Sequence, residues 1–142
     1  MEAPEGQVTE IERDVLGKPK RISRQTSIAG VAPMVDRVYT YDDQQRLCKR
    51  FEPETGLIVY GYESADDLEW SAHGRNRASC ESSRQLALTE RVNRAYDQRN
   101  RLTGITYPAR TAQYPIATAP TNFSYWPDGT LKTISTPVIK LG

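Results

Sequence analysis

The fold is decided by the stretch Tyr41-Asp42-Asp43-Gln44-Gln45-Arg46-Leu47, which returns as Tyr96-Asp97-Gln98-Arg99-Asn100-Arg101-Leu102. We number each copy from its lead residue as position 0, which makes the aspartate position 1, the basic residue position 5 and the leucine position 6. Three weaker copies keep some of these columns: Arg13-Asp14-Val15-Leu16-Gly17-Lys18-Pro19, Tyr62-Glu63-Ser64-Ala65-Asp66-Asp67-Leu68 and Tyr125-Trp126-Pro127-Asp128-Gly129-Thr130-Leu131. Five occurrences of one short pattern indicate an internal repeat.

Position 4 carries the turn chemistry of the pattern. An aspartate that opens a type I turn can accept a hydrogen bond from the backbone two residues on, and a following residue with positive φ favours Gly, Asn or Asp. Four of the five residues at position 4 are of these kinds; the five are Gly17, Gln45, Asp66, Asn100 and Gly129. A type I turn followed by one such residue is a common three-residue hairpin loop. Each copy is therefore predicted to be a hairpin tip.

The flanking residues alternate as strand residues do. Position −2 is mostly apolar and lies on the same strand face as the lead tyrosine, so this face is predicted to be the buried one. The leucines at position 6 are predicted to begin the returning strands. The structural motif residues are Tyr41, Asp42, Arg46, Leu47, Tyr62, Leu68, Tyr96, Asp97, Asn100, Arg101, Leu102, Tyr125, Gly129 and Leu131.

The length of 142 residues suits one structural unit with a thin core, and eight tyrosines against two phenylalanines favour half-buried sheet positions. We expect a mainly β chain, an antiparallel meander of hairpins in a curved open sheet. Residues 1–7 and 138–142 are expected to be tails around a repeat region of residues 8–137. The segment from Arg75 to Arg94 shows both helical and strand spacing, and strand or loop is favoured.

The motif resembles the YD repeat, named for the pairs Tyr41-Asp42 and Tyr96-Asp97 and known from bacterial Rhs proteins, insecticidal toxin-complex subunits and teneurins. The resemblance runs from about Val8 to Pro137. It implies a spiralling β-sheet shell that encloses a C-terminal toxin or effector domain. Family shells end in a self-cleaving region beside an Asp-Pro motif, and this chain has no Asp-Pro dipeptide, so neither autoproteolysis nor a toxin is assigned.

Residues able to carry catalysis or bind metal are few. His73 is the only histidine, and Cys48 and Cys80 lack the paired spacing of a zinc site. Buried free thiols are favoured over a disulfide. A Cys–His dyad remains open but disfavoured, and the carboxylates Asp14, Asp42, Glu63 and Asp97 are interpreted as turn formers. No cofactor is expected.

Charge and the termini add little. The net charge of +1 lacks the positive excess typical of nucleic-acid-binding proteins, and the basic stretch from Arg75 to Arg101 is interpreted as a solvated edge. The N-terminus shows no signal peptide and the chain no apolar span, so a cytoplasmic location is expected as encoded, although members of the family are often secreted or lie at the cell surface.

Three functions remain. The favoured one is a non-catalytic segment of a repeat shell, whose partners are neighbouring repeats and an enclosed toxin domain. The second is a carbohydrate- or cell-surface-binding β module, since tyrosine-rich sheets can stack on sugars. The third is a small thiol enzyme.

Overall fold

The computed structural model describes residues 7–26, 36–73, 80, 86–112 and 117–137. Its ten strands are β1 (Gln7–Arg13), β2 (Pro19–Thr26), β3 (Arg37–Tyr41), β4 (Leu47–Glu52), β5 (Gly56–Tyr62), β6 (Leu68–His73), β7 (Val92–Tyr96), β8 (Leu102–Thr106), β9 (Thr121–Tyr125) and β10 (Leu131–Ser135). They form one antiparallel sheet in the order of the chain. The mainly β meander is confirmed.

All five copies form hairpin tips. The first strand of each hairpin ends on the lead residue, and the second begins at position 6. In every tip the position 4 amide donates to the position 1 carbonyl, and the position 1 amide donates to the position 5 carbonyl, at 2.8–3.1 Å. This is the bonding of a type I turn with a bulge. Positive φ angles occur at the five predicted residues: Gly17, Gln45, Asp66, Asn100 and Gly129.

The aspartates at position 1 explain why these loops close. One carboxylate oxygen of Asp42 accepts hydrogen bonds from the amides of Gln44 and Arg46, at 3.0 and 2.9 Å. The corresponding bonds recur at Asp14 and Asp97. In the fifth tip Trp126 occupies position 1, and Asp128 instead bonds the amide and hydroxyl of Thr130. The interpretation of Asp14, Asp42 and Asp97 as turn formers is confirmed.

The chain divides into two compact units, whereas its length predicts one. The first unit comprises Met1–Val59 with His73–Cys80, and the second comprises Tyr60–Ala72 with Glu81–Gly142. Among described residues, the buried apolar side chains of the first unit are Cys48, Ile58 and Val59, and those of the second are Trp70, Ala72 and Leu86. Each core is small, as the composition predicts.

The prediction that the tyrosine face is the buried one holds only in part for β5, where the opposite face is buried as well. Along β5, Ile58 is buried on the face that carries the half-buried Tyr60 and Tyr62, and Val59 and Gly61 are buried on the other face. Tyrosines keep a polar hydroxyl that needs a partner, whereas Val59 and the glycine backbone carry no polar side-chain atom. Both faces of β5 therefore carry buried residues.

The segment from Arg75 to Arg94 is described only in part. From Leu86 onward it contains one turn of 3₁₀ helix, Leu88–Glu90, and then the beginning of β7. This agrees with the favoured strand or loop. Residues 75–79 and 81–85 lie outside the described part of the chain, as do residues 1–6 of the N-terminal tail and the C-terminal tail of residues 138–142.

Candidate functional site: the junction between consecutive hairpins

A junction is the pairing of the returning strand of one hairpin with the first strand of the next. Four junctions occur, β2–β3, β4–β5, β6–β7 and β8–β9. In each junction, position 8 of one copy lies opposite position −3 of the next copy, and position 9 lies opposite position −4. The pairs formed by position 8 are Arg21–Val38, Lys49–Val59, Trp70–Asn93 and Gly104–Asn122. The register is therefore one and the same at all four junctions.

Lead tyrosines bond across junctions. The hydroxyl of Tyr41 donates to the carbonyl of Pro19 at 3.0 Å, that of Tyr96 to Leu68 at 2.9 Å, and that of Tyr125 to Leu102 at 2.6 Å. In all three cases the acceptor is position 6 of the preceding copy. The shared register accounts for this, because it sets each lead tyrosine beside the end of the preceding turn. The tyrosine column of the motif therefore fixes one hairpin to another.

The basic residue at position 5 also contacts the lead tyrosine of the next copy. The guanidinium carbon of Arg101 lies 4.5 Å from the ring centroid of Tyr125, and the ammonium of Lys18 lies 5.1 Å from that of Tyr41. Both distances suit a cation–π interaction. Arg101 is itself held by Asp97, whose carboxylate accepts from Nε at 2.8 Å. Aspartate, arginine and the next tyrosine thus form a connected set.

Electrostatics at the turns follow from these bonds. The side-chain hydrogen bond from Arg101 lowers the pKa of the Asp97 carboxyl below its ordinary value. Burial alone would raise the pKa of Asp42, but the backbone and side-chain hydrogen bonds from Arg46 outweigh it, so that pKa is also lowered. Burial raises the pKa of Tyr41, and the charge of Asp14 adds to this effect. The raised pKa favours the protonated form of Tyr41, whose hydroxyl donates to the carbonyl of Pro19.

The third copy departs from the pattern at position 5, where Asp67 replaces the basic residue. One carboxylate oxygen of Asp67, Oδ2, is buried and has no hydrogen-bond partner among the described residues. Burial is the main cause that raises the pKa of Tyr96, with Arg94 opposing it and the charges of Asp67 and Glu63 adding to it. The β6–β7 junction therefore has an acidic residue at position 5, where the β2–β3 and β8–β9 junctions have Lys18 and Arg101.

The expectation of free thiols is wrong, because Cys48 and Cys80 form a disulfide. Their Cα atoms are 5.7 Å apart, within the usual range, although 32 residues separate them in sequence. The sequence offers no sign of this proximity, because it depends on tertiary contacts between residues that are far apart along the chain. A thiol nucleophile paired with the exposed His73 would require this bond to be reduced.

The first unit also contains an open cleft of about 550 Å³ beside Tyr39 and Tyr41. Its charged residues are mostly paired. Lys20 Nζ lies 3.6 Å from the Glu12 carboxylate, and Arg21 Nε donates to Asp36 at 2.7 Å. Aromatic rings beside polar groups can contact a sugar, and Tyr39 and Tyr41 line this cleft together with Glu12 and Asp36.

Neither metal ligands nor membrane helices emerge from the described ranges. Within them, no three His, Cys, Asp or Glu residues are grouped closely enough to hold a metal ion. The described helical residues include no stretch long and apolar enough to cross a bilayer.

Comparison with protein-family models found no match, and neither did comparison with curated proteins. The resemblance to YD repeats therefore rests on the motif residues themselves. All fourteen motif residues lie at hairpin ends and tips. At the β8–β9 junction, the basic residue at position 5 of one copy, Arg101, contacts the lead tyrosine of the next, Tyr125. Sequence reasoning missed the tyrosine–carbonyl bonds, which a uniform register between copies would have revealed.

Proposed function

We propose that the chain is a non-catalytic structural segment of a YD-repeat β wall. The carrying observation is the common register of the four junctions, which persists although successive lead residues are 28, 21, 34 and 29 positions apart. Modular arrays have this property, since each repeat contacts its neighbours through one kind of interface. Its partners are then neighbouring repeats. In Rhs-type proteins such walls enclose a toxin or effector domain, and by resemblance this chain has the same role.

The chemistry of the motif supports the proposal. The aspartate, the arginine and the tyrosine are each used in a turn or a junction, as the bonds of Asp97, Arg101 and Tyr125 show. Groups held in this way stabilise an extended sheet and are not poised for substrate. The residues that recur in the repeat thus have structural roles.

Duplication of one repeat tests the proposal. A second copy of residues 92–120, inserted after residue 120, adds one lead-to-lead spacing and creates a new junction of Gly104 with Asn93. We expect the longer chain to fold, to gain strand signal in circular dichroism and to unfold in one transition. The matched control carries Tyr96→Ala in the inserted copy only and should be less stable. A duplicated chain that does not fold would refute the wall proposal.

The alternative is a carbohydrate- or cell-surface-binding module, which the cleft beside Tyr39 and Tyr41 favours. A glycan array provides the test. Saturable binding that is lost in Tyr39→Ala and kept in Tyr107→Ala, a tyrosine outside the cleft, would establish this alternative instead.

A further inference from the structure

The first and last strands have one described neighbour each. Within the described ranges, β1 pairs only with β2, and β10 pairs only with β9. Both strands carry exposed apolar side chains: Val8 and Ile11 are 63% and 46% exposed on β1, and Leu131 and Ile134 are 49% and 60% exposed on β10. Edge strands with unpaired backbone groups and apolar side chains favour pairing with another strand.

The register shared by the internal junctions predicts which residues of β10 and β1 would lie opposite each other. Extended to β10, it sets position 8, Thr133, opposite a residue at position −3, and position 9, Ile134, opposite a residue at position −4. On β1 these residues are Glu10 and Thr9. An Ile134–Thr9 pair repeats the pair of Ile105 with Thr121 at the β8–β9 junction. The side-chain types are therefore compatible in this register.

The charges of the two edges are also complementary. At the β2–β3 and β8–β9 junctions the cation belongs to the preceding copy, whereas here it is the lead residue of the following copy. In two described junctions a basic residue at position 5 lies over the next lead tyrosine. The last copy has Thr130 at position 5, with the Asp128 carboxylate bonded to it at 2.7 and 2.9 Å, and the first copy has Arg13 as its lead residue. The register sets Arg13 opposite Thr130, whose amide and hydroxyl both donate to the Asp128 carboxylate. Arg13 donates one bond to the Gly17 carbonyl, and a guanidinium has five donors.

We infer that β10 of one molecule pairs with β1 of a second copy of this chain, in the register that its internal junctions share. This inference rests on the proposed function, because it extends the junction of the wall to a contact between molecules. The contact is head-to-tail, so each associated pair keeps one unpaired β1 and one unpaired β10.

Two lysine substitutions separate the two edges. Thr9→Lys blocks the β1 edge, and Ile134→Lys blocks the β10 edge, since lysine on an edge strand opposes further pairing. Val15→Lys is the control, because Val15 is fully exposed at a hairpin tip and belongs to no strand. Size-exclusion chromatography with light scattering then measures mass across protein concentrations, and circular dichroism confirms that each variant is folded.

The unmodified chain and Val15→Lys should grow in mass with concentration beyond a dimer. Each edge variant alone should stay monomeric, and an equimolar mixture of the two should give twice the monomer mass, because each retains one competent edge. Dimers of Thr9→Lys alone would show a contact of β10 with itself and overturn the inference. A monomeric unmodified chain would also overturn it, while success of the repeat duplication would leave the wall proposal standing.

Discussion

The indole of Trp70 lies across the backbone of Gly61 and fills the space that a Cβ atom there would need. The two residues are on neighbouring strands of the β5–β6 hairpin, and Trp70 is almost fully buried. The guanidinium of Arg91 covers the ring at 4.7 Å. An aromatic ring over a strand glycine gives the second unit a large part of its buried apolar surface.

Gly61→Ala should therefore destabilise the protein by about 1–3 kcal/mol, the usual cost of overpacking a core. Gly104→Ala is the matched control, since a Cβ there would meet its neighbours only at 3.9–4.0 Å, which is ordinary contact. Urea unfolding of both variants gives the comparison. Equal midpoints would show that the indole moves aside without cost.

The five residues with positive φ at position 4 of the repeat give a second prediction. Gly129 has φ of 93°, and Gly129→Val should lose about 1–2 kcal/mol because a β-branched residue is strained in this conformation. Gln45 adopts φ of 64° at the same position of another tip, and Gln45→Gly should change the stability by no more than about 1 kcal/mol or increase it. Thermal unfolding measures both, and similar losses would contradict the shared turn geometry.

The tyrosine–carbonyl bonds give a third prediction. Tyr96→Phe removes the hydrogen bond to Leu68 and should cost about 0.5–1.5 kcal/mol, the ordinary net value of such a bond. Tyr107→Phe is the control, because its hydroxyl lies at the 3.5 Å limit from Thr121 Oγ1. Chemical denaturation distinguishes them. If the two phenylalanine variants are equally stable, the junction bond contributes nothing.

Asp67 gives a prediction of opposite sign. Asp67→Arg restores the basic residue of position 5 beside Tyr96 and removes a buried carboxylate oxygen without a described partner. The expected gain is about 0.5–1 kcal/mol, as for a modest cation–π contact. Asp67→Asn removes the charge without adding a cation and should gain less. A less stable arginine variant would mean that this junction differs from the others in geometry.

Stability should fall in acid because of Asp42 and Asp97. Their pKa values are lowered in the folded state, so their contribution is full above the unfolded pKa of about 3.9 and is lost as pH falls through the folded pKa. Asp97→Asn should therefore be less stable than the unmodified chain at neutral pH, and the difference should shrink below about pH 4. Asp43→Asn, at an exposed residue beside Asp42, serves as the control. Thermal midpoints at several pH values provide the measurement, and a difference independent of pH would contradict the assignment.

The hairpins were predictable because their cause is local. An aspartate at position 1 and a residue tolerant of positive φ at position 4 determine a tip within seven residues, and even Gln45 adopts the expected conformation. The burial of both faces of β5 and the contact of Trp70 with Gly61 were not predictable, since both depend on which strand lies alongside. The disulfide was not predictable for a stronger reason, because 32 residues separate Cys80 from Cys48 and Cys80 belongs to no copy of the repeat.

The common register also bears on how such a chain changes over generations. Because the exit strand of one hairpin meets the entry strand of the next in the same way at every junction, recombination between two copies of the coding sequence would delete or add a whole hairpin and still leave matching strand edges. The segments between hairpins differ in length, and insertions there should cost little stability because the free energy of closing a loop rises only slowly with its length.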